Sequence, residues 1–238
     1  MKRGKIYRQN ESGSAIFYVL IAVALLGALV FAVSNGGRGN IKHLSEDKAR
    51  LIASDLIEYT NTVANGVAQI RLRGVPDTSL CFDDPQWPAD YNHAGCADNQ
   101  NKIFHVSGAG IVWSKAKSEA MDSAATPDEL WHFYGNNEID QVGTTCGAAS
   151  CADLIMVTDE LLPEICIELN NKLGVINPGD VPPTDTAFNE TLYKGVYGFN
   201  NVIGDEGGGA ELKGKTSGCF QKTGAPAEYV FYKVLVAR

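Results

Sequence analysis

The stretch from Ser14 to Asn35 constrains this chain more than any other part of it. No charged residue lies between Glu11 and Arg38, and almost every residue of the stretch is apolar. About 20 such residues allow a helix to cross the hydrocarbon core of a bilayer, because a helix satisfies all its own backbone polar groups there. The sequence therefore predicts a transmembrane helix over residues 14–35.

The leader before this stretch predicts its orientation. Residues 1–13 contain one acid, Glu11, and four basic residues, which are Lys2, Arg3, Lys5 and Arg8. Basic residues beside a span stay on the cytoplasmic side. The leader is therefore expected on the cytoplasmic side, and the remaining two hundred or so residues are expected outside the cytoplasm.

Two interpretations of the apolar stretch follow from the residues alone. One is a cleaved signal peptide, since Ala32-Val33-Ser34 offers the small residues of a cleavage site. The apolar run is, however, longer than the ~7–15 residues usual for the core of a signal peptide. The other is a simple N-terminal anchor that holds a periplasmic binding module.

A third interpretation rests on a family resemblance. A short basic leader ends at Gly13, the apolar helix begins at once, and an amphipathic continuation follows. In these features the chain resembles type IV pilin and type II secretion pseudopilin precursors. The resemblance implies that a prepilin peptidase cuts between Gly13 and Ser14. It also implies the partners, namely other pilin-like subunits that pack through the N-terminal helix, the peptidase and the inner membrane. The localisation that the resemblance implies is the bacterial inner membrane, with the N-terminus cytoplasmic and the head periplasmic, or a cell-surface filament after assembly.

Two residues depart from the pattern of that family. Ser14 stands where the family has an aromatic residue after the cut, and Tyr18 stands where it has a glutamate at the fifth mature position. In the family that carboxylate neutralises the terminal amine of a neighbouring subunit. The resemblance therefore implies a structural subunit of a pilus or pseudopilus that is either a minor or tip component or a divergent one.

Charge and motif content argue against other function classes. Of 20 basic and 28 acidic residues, four basic and one acidic lie in the leader, which leaves 16 basic and 27 acidic residues. Such an acidic surface does not favour nucleic acid. The four histidines are dispersed, and no nucleophile, zinc-protease or phosphate-loop motif is present. We expect neither an enzyme nor a cofactor.

The cysteines all lie beyond the apolar stretch. An even number in an oxidising compartment indicates disulfides, although six cysteines permit 15 pairings. No CxxC or HxxxH spacing supports a closed zinc site. Proximity along the chain favours three pairs, which are Cys81 with Cys96, Cys146 with Cys151, and Cys166 with Cys219.

The first cysteine loop is also rich in oxygen ligands. Asp83, Asp84 and Asp90 are candidate calcium ligands there, because carboxylate oxygens are what Ca²⁺ prefers. The spacing of an EF-hand loop is missing, and solvated turn acids are the simpler interpretation. No metal is the expectation.

The remaining pattern predicts an α+β fold, with a long N-terminal helix packed on a small antiparallel sheet domain. We expect a leader at 1–13, a transmembrane or filament-core half of the helix at 14–35, its amphipathic half at 36–75, and an extracytoplasmic, disulfide-containing head at 76–238. The amphipathic half presents one apolar face, formed by Ile52, Leu56, Tyr59, Val63, Val67 and Ile70. A helix at Pro163–Leu173, a short helix opening at Thr126, and strands at Lys102–Val106, Gly110–Trp113, Asp153–Thr158, Tyr193–Phe199 and Tyr229–Ala237 complete the prediction.

Overall fold

The chain forms two compact units, Met1–Asp47 and Lys48–Arg238. The computed structural model describes residues 13–84, 90–122, 131–186, 189–205, 207–224 and 227–238, with the side chains of 13–16 and 28–45 excepted. The first helix, α1 (Gly13–Leu72), contributes residues to both units. The leader up to residue 12 and the helix predicted at Thr126 lie outside the described residues.

The second unit combines two helical segments with a six-stranded sheet. After α1 come β1 (His132–Ile139), β2 (Asp153–Thr158), α2 (Pro163–Leu173), β3 (Thr184–Asp185), β4 (Asn201–Ile203), β5 (Ser217–Lys222) and β6 (Glu228–Val236). The strand order is β3-β5-β6-β2-β1-β4. The four central strands pair antiparallel, and the short edge strands β3 and β4 run parallel to β5 and β1.

Both faces of the sheet are covered. In β2, Leu154 and Met156 enter the core that includes α1 and α2, whereas Ile155 and Val157 enter a second core on the opposite face. This follows from the two-residue period of a strand, which sends successive side chains to opposite faces. Every residue of β2 is accordingly buried, as expected for a central strand with both faces covered.

The C-terminal part of α1 has the apolar face that its periodicity predicts. Ile52, Leu56 and Val63 are at most 4% exposed, as are Val67 and Ile70 one and two turns later. All five belong to the core beside the sheet. The helix ends at Leu72, and Gly74 follows with φ of +88°, a left-handed conformation that glycine adopts without steric strain.

Three further elements are confirmed at the sequence-based positions. Helix α2 spans Pro163–Leu173, with proline in its first turn and Gly174 in the left-handed conformation behind it. Strand β2 occupies the predicted Asp153–Thr158, and β6 (Glu228–Val236) covers the predicted Tyr229–Ala237 except Ala237.

Three predicted strands are wrong. The segments Lys102–Val106, Gly110–Trp113 and Tyr193–Phe199 contain no strand. In the first two, the chain turns back on itself, because the amides of Ala109 and Ile111 donate to the carbonyls of Lys102 and Ile103. Local hydrogen bonds thus replace the ladder that a strand needs.

The predicted fold class and localisation also need correction. No helix in the described part of the chain is long and apolar enough to cross a membrane, so the transmembrane half of the long helix and the inner-membrane localisation are not supported. The sheet, moreover, is six-stranded and mixed rather than small and antiparallel.

Candidate functional site

An apolar segment of α1, Phe17–Gly27, is the most unusual surface of the described chain. All eleven residues are exposed. The large side chains among them are 40–68% exposed, and they are Phe17, Tyr18, Val19, Leu20, Ile21, Val23, Leu25 and Leu26. Exposed apolar patches of this kind mark interaction sites on soluble domains.

The helical geometry distributes these side chains around the whole circumference of the segment. Eleven residues make about three turns at 3.6 residues per turn, and none of the eleven is charged. A helix that is apolar on every side is normally buried on every side. The segment therefore suits a place within a bundle of helices better than a groove that covers one face.

Chemically, the segment can offer packing and little else. Its backbone N–H and C=O groups are used within the helix, and Tyr18 carries its single polar side-chain group. Tyr18 is 68% exposed, so its phenol is accessible to a neighbour. A phenol can donate a hydrogen bond, but it does not supply the negative charge that a carboxylate at this position would.

The predicted processing site precedes the apolar segment. Gly13 and Ser14 fall at the start of α1, and the side chain of Ser14 lies outside the described residues. Cleavage between them stays a prediction.

The six cysteines form three disulfides, as the sequence predicts. Cys81 is joined to Cys96, Cys146 to Cys151, and Cys166 to Cys219, which are the pairs that proximity favours. No cysteine of the chain remains free. The third bridge ties α2 to β5, and Asn170 reinforces it by accepting from the amide and donating to the carbonyl of Cys219, both at 2.8 Å.

Two of the three candidate calcium ligands, Asp83 and Asp90, accept hydrogen bonds from protein side chains. Asp83 accepts a hydrogen bond from the Asn92 side chain at 3.2 Å, and Asp90 accepts from the Lys194 ammonium at 2.7 Å. Burial raises the pKa of the Tyr59 phenol to about 12, and the charge of Asp84 adds to that rise. Within the ranges that the structure describes, no three acidic, histidine or cysteine side chains are grouped so as to hold a metal ion.

A pair of buried acids at the end of the sheet is not apparent from the sequence. Glu138 and Asp153 are fully buried on β1 and β2. Glu138 accepts from the backbone amides of Cys146 and Gly147 at 2.8 and 3.0 Å. Asp153 accepts from the amides of Ile139 and Arg238 at 2.9 and 3.0 Å. The two carboxylates thus hold the β1–β2 loop and residue 238 in place.

His93 is an example of a histidine with a structural role. Its Nε2 lies 3.0 Å from the carbonyl oxygen of Leu80, and its Nδ1 accepts from the amide of Gly95 at 3.1 Å. Both ring nitrogens are therefore used within the fold. The shallow cleft beside it, which Ser79, Asp98 and Lys194 also line, contains no nucleophile with a partner base.

Comparison of the chain with known proteins finds no match among protein-family models, curated proteins or solved structures.

Proposed function

We propose that the chain is a structural, pilin-like subunit that assembles with other helical subunits through the apolar segment Phe17–Gly27. The observation that carries the proposal is the exposure of this uncharged segment on all sides of α1. The resemblance of the leader, of the apolar stretch and of the amphipathic continuation to pilin precursors supports it. A second copy of this chain is the simplest partner that offers the same surface.

The energetics favour several neighbours over one. Burying a large apolar side chain stabilises by about 1.5–3 kcal/mol. Because the eight large side chains are on average about 60% exposed, covering all of them yields on the order of 10 kcal/mol. One neighbour covers one side only and yields a fraction of this, whereas association costs about 4–15 kcal/mol. A bundle of several subunits is therefore the arrangement that the segment can stabilise.

The second unit suits a subunit of an extracytoplasmic assembly. Its three disulfides require an oxidising compartment. Maturation by a prepilin peptidase between Gly13 and Ser14 belongs to the same proposal, because it would remove the four basic residues that precede the apolar segment. Without them, the apolar segment becomes the start of the mature chain.

The proposal predicts that a charge in the apolar segment blocks assembly. In Leu20→Lys, the ammonium would have to leave water when neighbours cover the helix, which costs several kcal/mol. We expect the processed chain that begins at Ser14 to sediment as assemblies of more than two copies, and the same chain with Leu20→Lys to sediment as single chains. Sedimentation velocity over a range of concentrations measures this.

Leu51→Lys is the matched control. Leu51 lies on the same helix and is 61% exposed, compared with 63% for Leu20, but it belongs to the second unit. The same substitution there should leave assembly unchanged. A chain that begins at Ser14 and stays single at every concentration, or a Leu51→Lys variant as defective as Leu20→Lys, would contradict the proposal.

A further inference from the structure

One of the three disulfides differs from the others in its exposure. Cys146 is exposed, and its bridge to Cys151 lies in the loop between β1 and β2. The other two bridges join cysteines that are each at most 5% exposed, which are Cys81, Cys96, Cys166 and Cys219. Thiol–disulfide exchange requires that an incoming thiolate reach a sulfur atom. In the folded chain only the Cys146–Cys151 bridge meets that condition.

The surroundings of this bridge fix its position and supply a hydroxyl group. The Glu138 carboxylate accepts hydrogen bonds from the backbone amides of Cys146 and Gly147 and so holds this part of the loop in place. The Ser150 hydroxyl lies 3.7 Å from the sulfur of Cys146 and 3.8 Å from that of Cys151. It is therefore placed to donate to a thiolate that forms on either sulfur.

We propose that Cys146–Cys151 is a thiol–disulfide exchange site whose co-substrate is a dithiol. One thiolate of the dithiol attacks the exposed Cys146 sulfur and forms a mixed disulfide, while the bond to Cys151 breaks and its electron pair stays on Cys151 as a thiolate. The second thiol of the dithiol, after losing its proton, attacks the dithiol's own bonded sulfur and releases Cys146 as a thiolate. Two protons from the dithiol end on Cys146 and Cys151, two electrons reduce the bridge, and the dithiol becomes a disulfide.

Ser150 acts as a positioning residue in this exchange. Cys151 is only 4% exposed, so the thiolate that leaves on it is poorly solvated by water. A hydrogen bond from the Ser150 hydroxyl stabilises that thiolate, and a more stable leaving thiolate departs faster.

Opening the bridge affects the loop between β1 and β2. The loop is held by Glu138 and lies beside the Phe199 ring. A Cβ atom added at Gly147 would lie 3.7 Å from the Cζ atom of Phe199. Phe199 precedes the edge strand β4. Reduction removes the covalent link within this loop, while the hydrogen bonds to Glu138 and the bridge between α2 and β5 remain.

The test is the order in which thiols appear in the folded full chain. Samples treated with dithiothreitol under native conditions are quenched with N-ethylmaleimide at intervals, and peptide mass spectrometry locates the labels. We expect Cys146 and Cys151 to be labelled at least about tenfold faster than the four buried cysteines, because only their bridge is accessible. Equal rates for all three bridges, or faster labelling of another pair, overturn the proposal.

Two variants separate the role of Ser150 from simple loosening of the loop. Ser150→Ala should slow the first phase severalfold, since the leaving thiolate loses its donor. Thr145→Ala removes a hydroxyl from the same loop that bonds the amide of Gln141 instead of a sulfur, and it should not slow that phase. If Ser150→Ala reacts as fast as or faster than wild type, Ser150 is structural and that step is wrong.

A monothiol probe establishes which sulfur is attacked. With glutathione in place of dithiothreitol, and rapid quenching, the mixed disulfide should be found on Cys146 and the maleimide on Cys151. The reverse labelling would contradict attack at the exposed cysteine.

Discussion

At the scale of the residue, the buried carboxyl group of Asp153 responds to its surroundings. Asp153 is fully buried, and burial raises the pKa of its carboxyl to about 6. The hydrogen bonds from the amides of Ile139 and Arg238 lower that pKa in part, while the charge of Glu138 raises it further. Between pH 4 and 6 the folded chain therefore binds a proton at Asp153 that the unfolded chain does not bind.

This difference predicts how Asp153 contributes to stability as the pH changes. Acidification from pH 7 to 5 should raise the free energy of unfolding of wild type through this group, because the folded state binds the extra proton. Asp153→Asn lacks the titration, so the stability advantage of wild type over this variant should be larger at pH 5 than at pH 7. Urea unfolding at both pH values measures it.

Asp90→Asn provides the control for this measurement. The hydrogen bond from the Lys194 ammonium holds the pKa of the exposed Asp90 carboxyl below its ordinary value, so its titration falls below the tested range. The difference between wild type and Asp90→Asn should be the same at pH 5 and pH 7. An advantage over Asp153→Asn that shrinks or stays constant on acidification would show that Asp153 does not titrate as described.

At this scale, the burial of the two acids Glu138 and Asp153 could not be predicted from the sequence. Glu138 and Asp153 are buried because backbone amides from a loop and from residue 238 converge on them. Those partners are up to 85 residues away along the chain. Local pattern carries no signal for such a contact, whereas the cysteines could be assigned because each pairs with the nearest partner available in the sequence.

At the scale of the element, periodicity predicts what is amphipathic and misses what is short or polar. The C-terminal part of α1, α2, β2 and β6 are correctly predicted because each has a clear 3.6-residue pattern or a dense run of β-branched and aromatic residues. Strand β1 contains Gly135, Asn136 and Asn137, and β3 and β4 have only two and three residues. Their pairing with neighbours, rather than their own propensity, makes them strands.

The disulfides should differ in how much they stabilise these elements. The bridge Cys166–Cys219 spans 53 residues, and Cys146–Cys151 spans five. Loop-closure entropy gives about 4 kcal/mol for the first and about 2 kcal/mol for the second. Replacing both cysteines of a bridge by alanine should therefore lower the free energy of unfolding about twice as much for Cys166–Cys219. Denaturant unfolding of the two double variants is the measurement, and the opposite order would refute the entropic account.

At the scale of the whole molecule, the second unit buries its apolar side chains, whereas the apolar segment of α1 exposes its own. The second unit buries its apolar side chains in two cores around the sheet, and three disulfides close its loops. The apolar segment Phe17–Gly27 leaves its side chains exposed. These two features fit the proposed role as a subunit of a larger assembly.

The proposed assembly includes removal of the leader, and this removal can be tested. The proposed cut lies between Gly13 and Ser14, and a side chain at position 13 should block it because the peptidase of the pilin family cuts after glycine. In native cells, wild type should begin at Ser14, and Gly13→Leu should keep Met1 and fail to assemble. Gly27→Leu is the control, since an added side-chain atom at Gly27 meets nothing within 4 Å; it should mature normally. N-terminal sequencing and intact mass distinguish the outcomes, and a wild-type chain that itself begins at Met1 would exclude processing at Gly13.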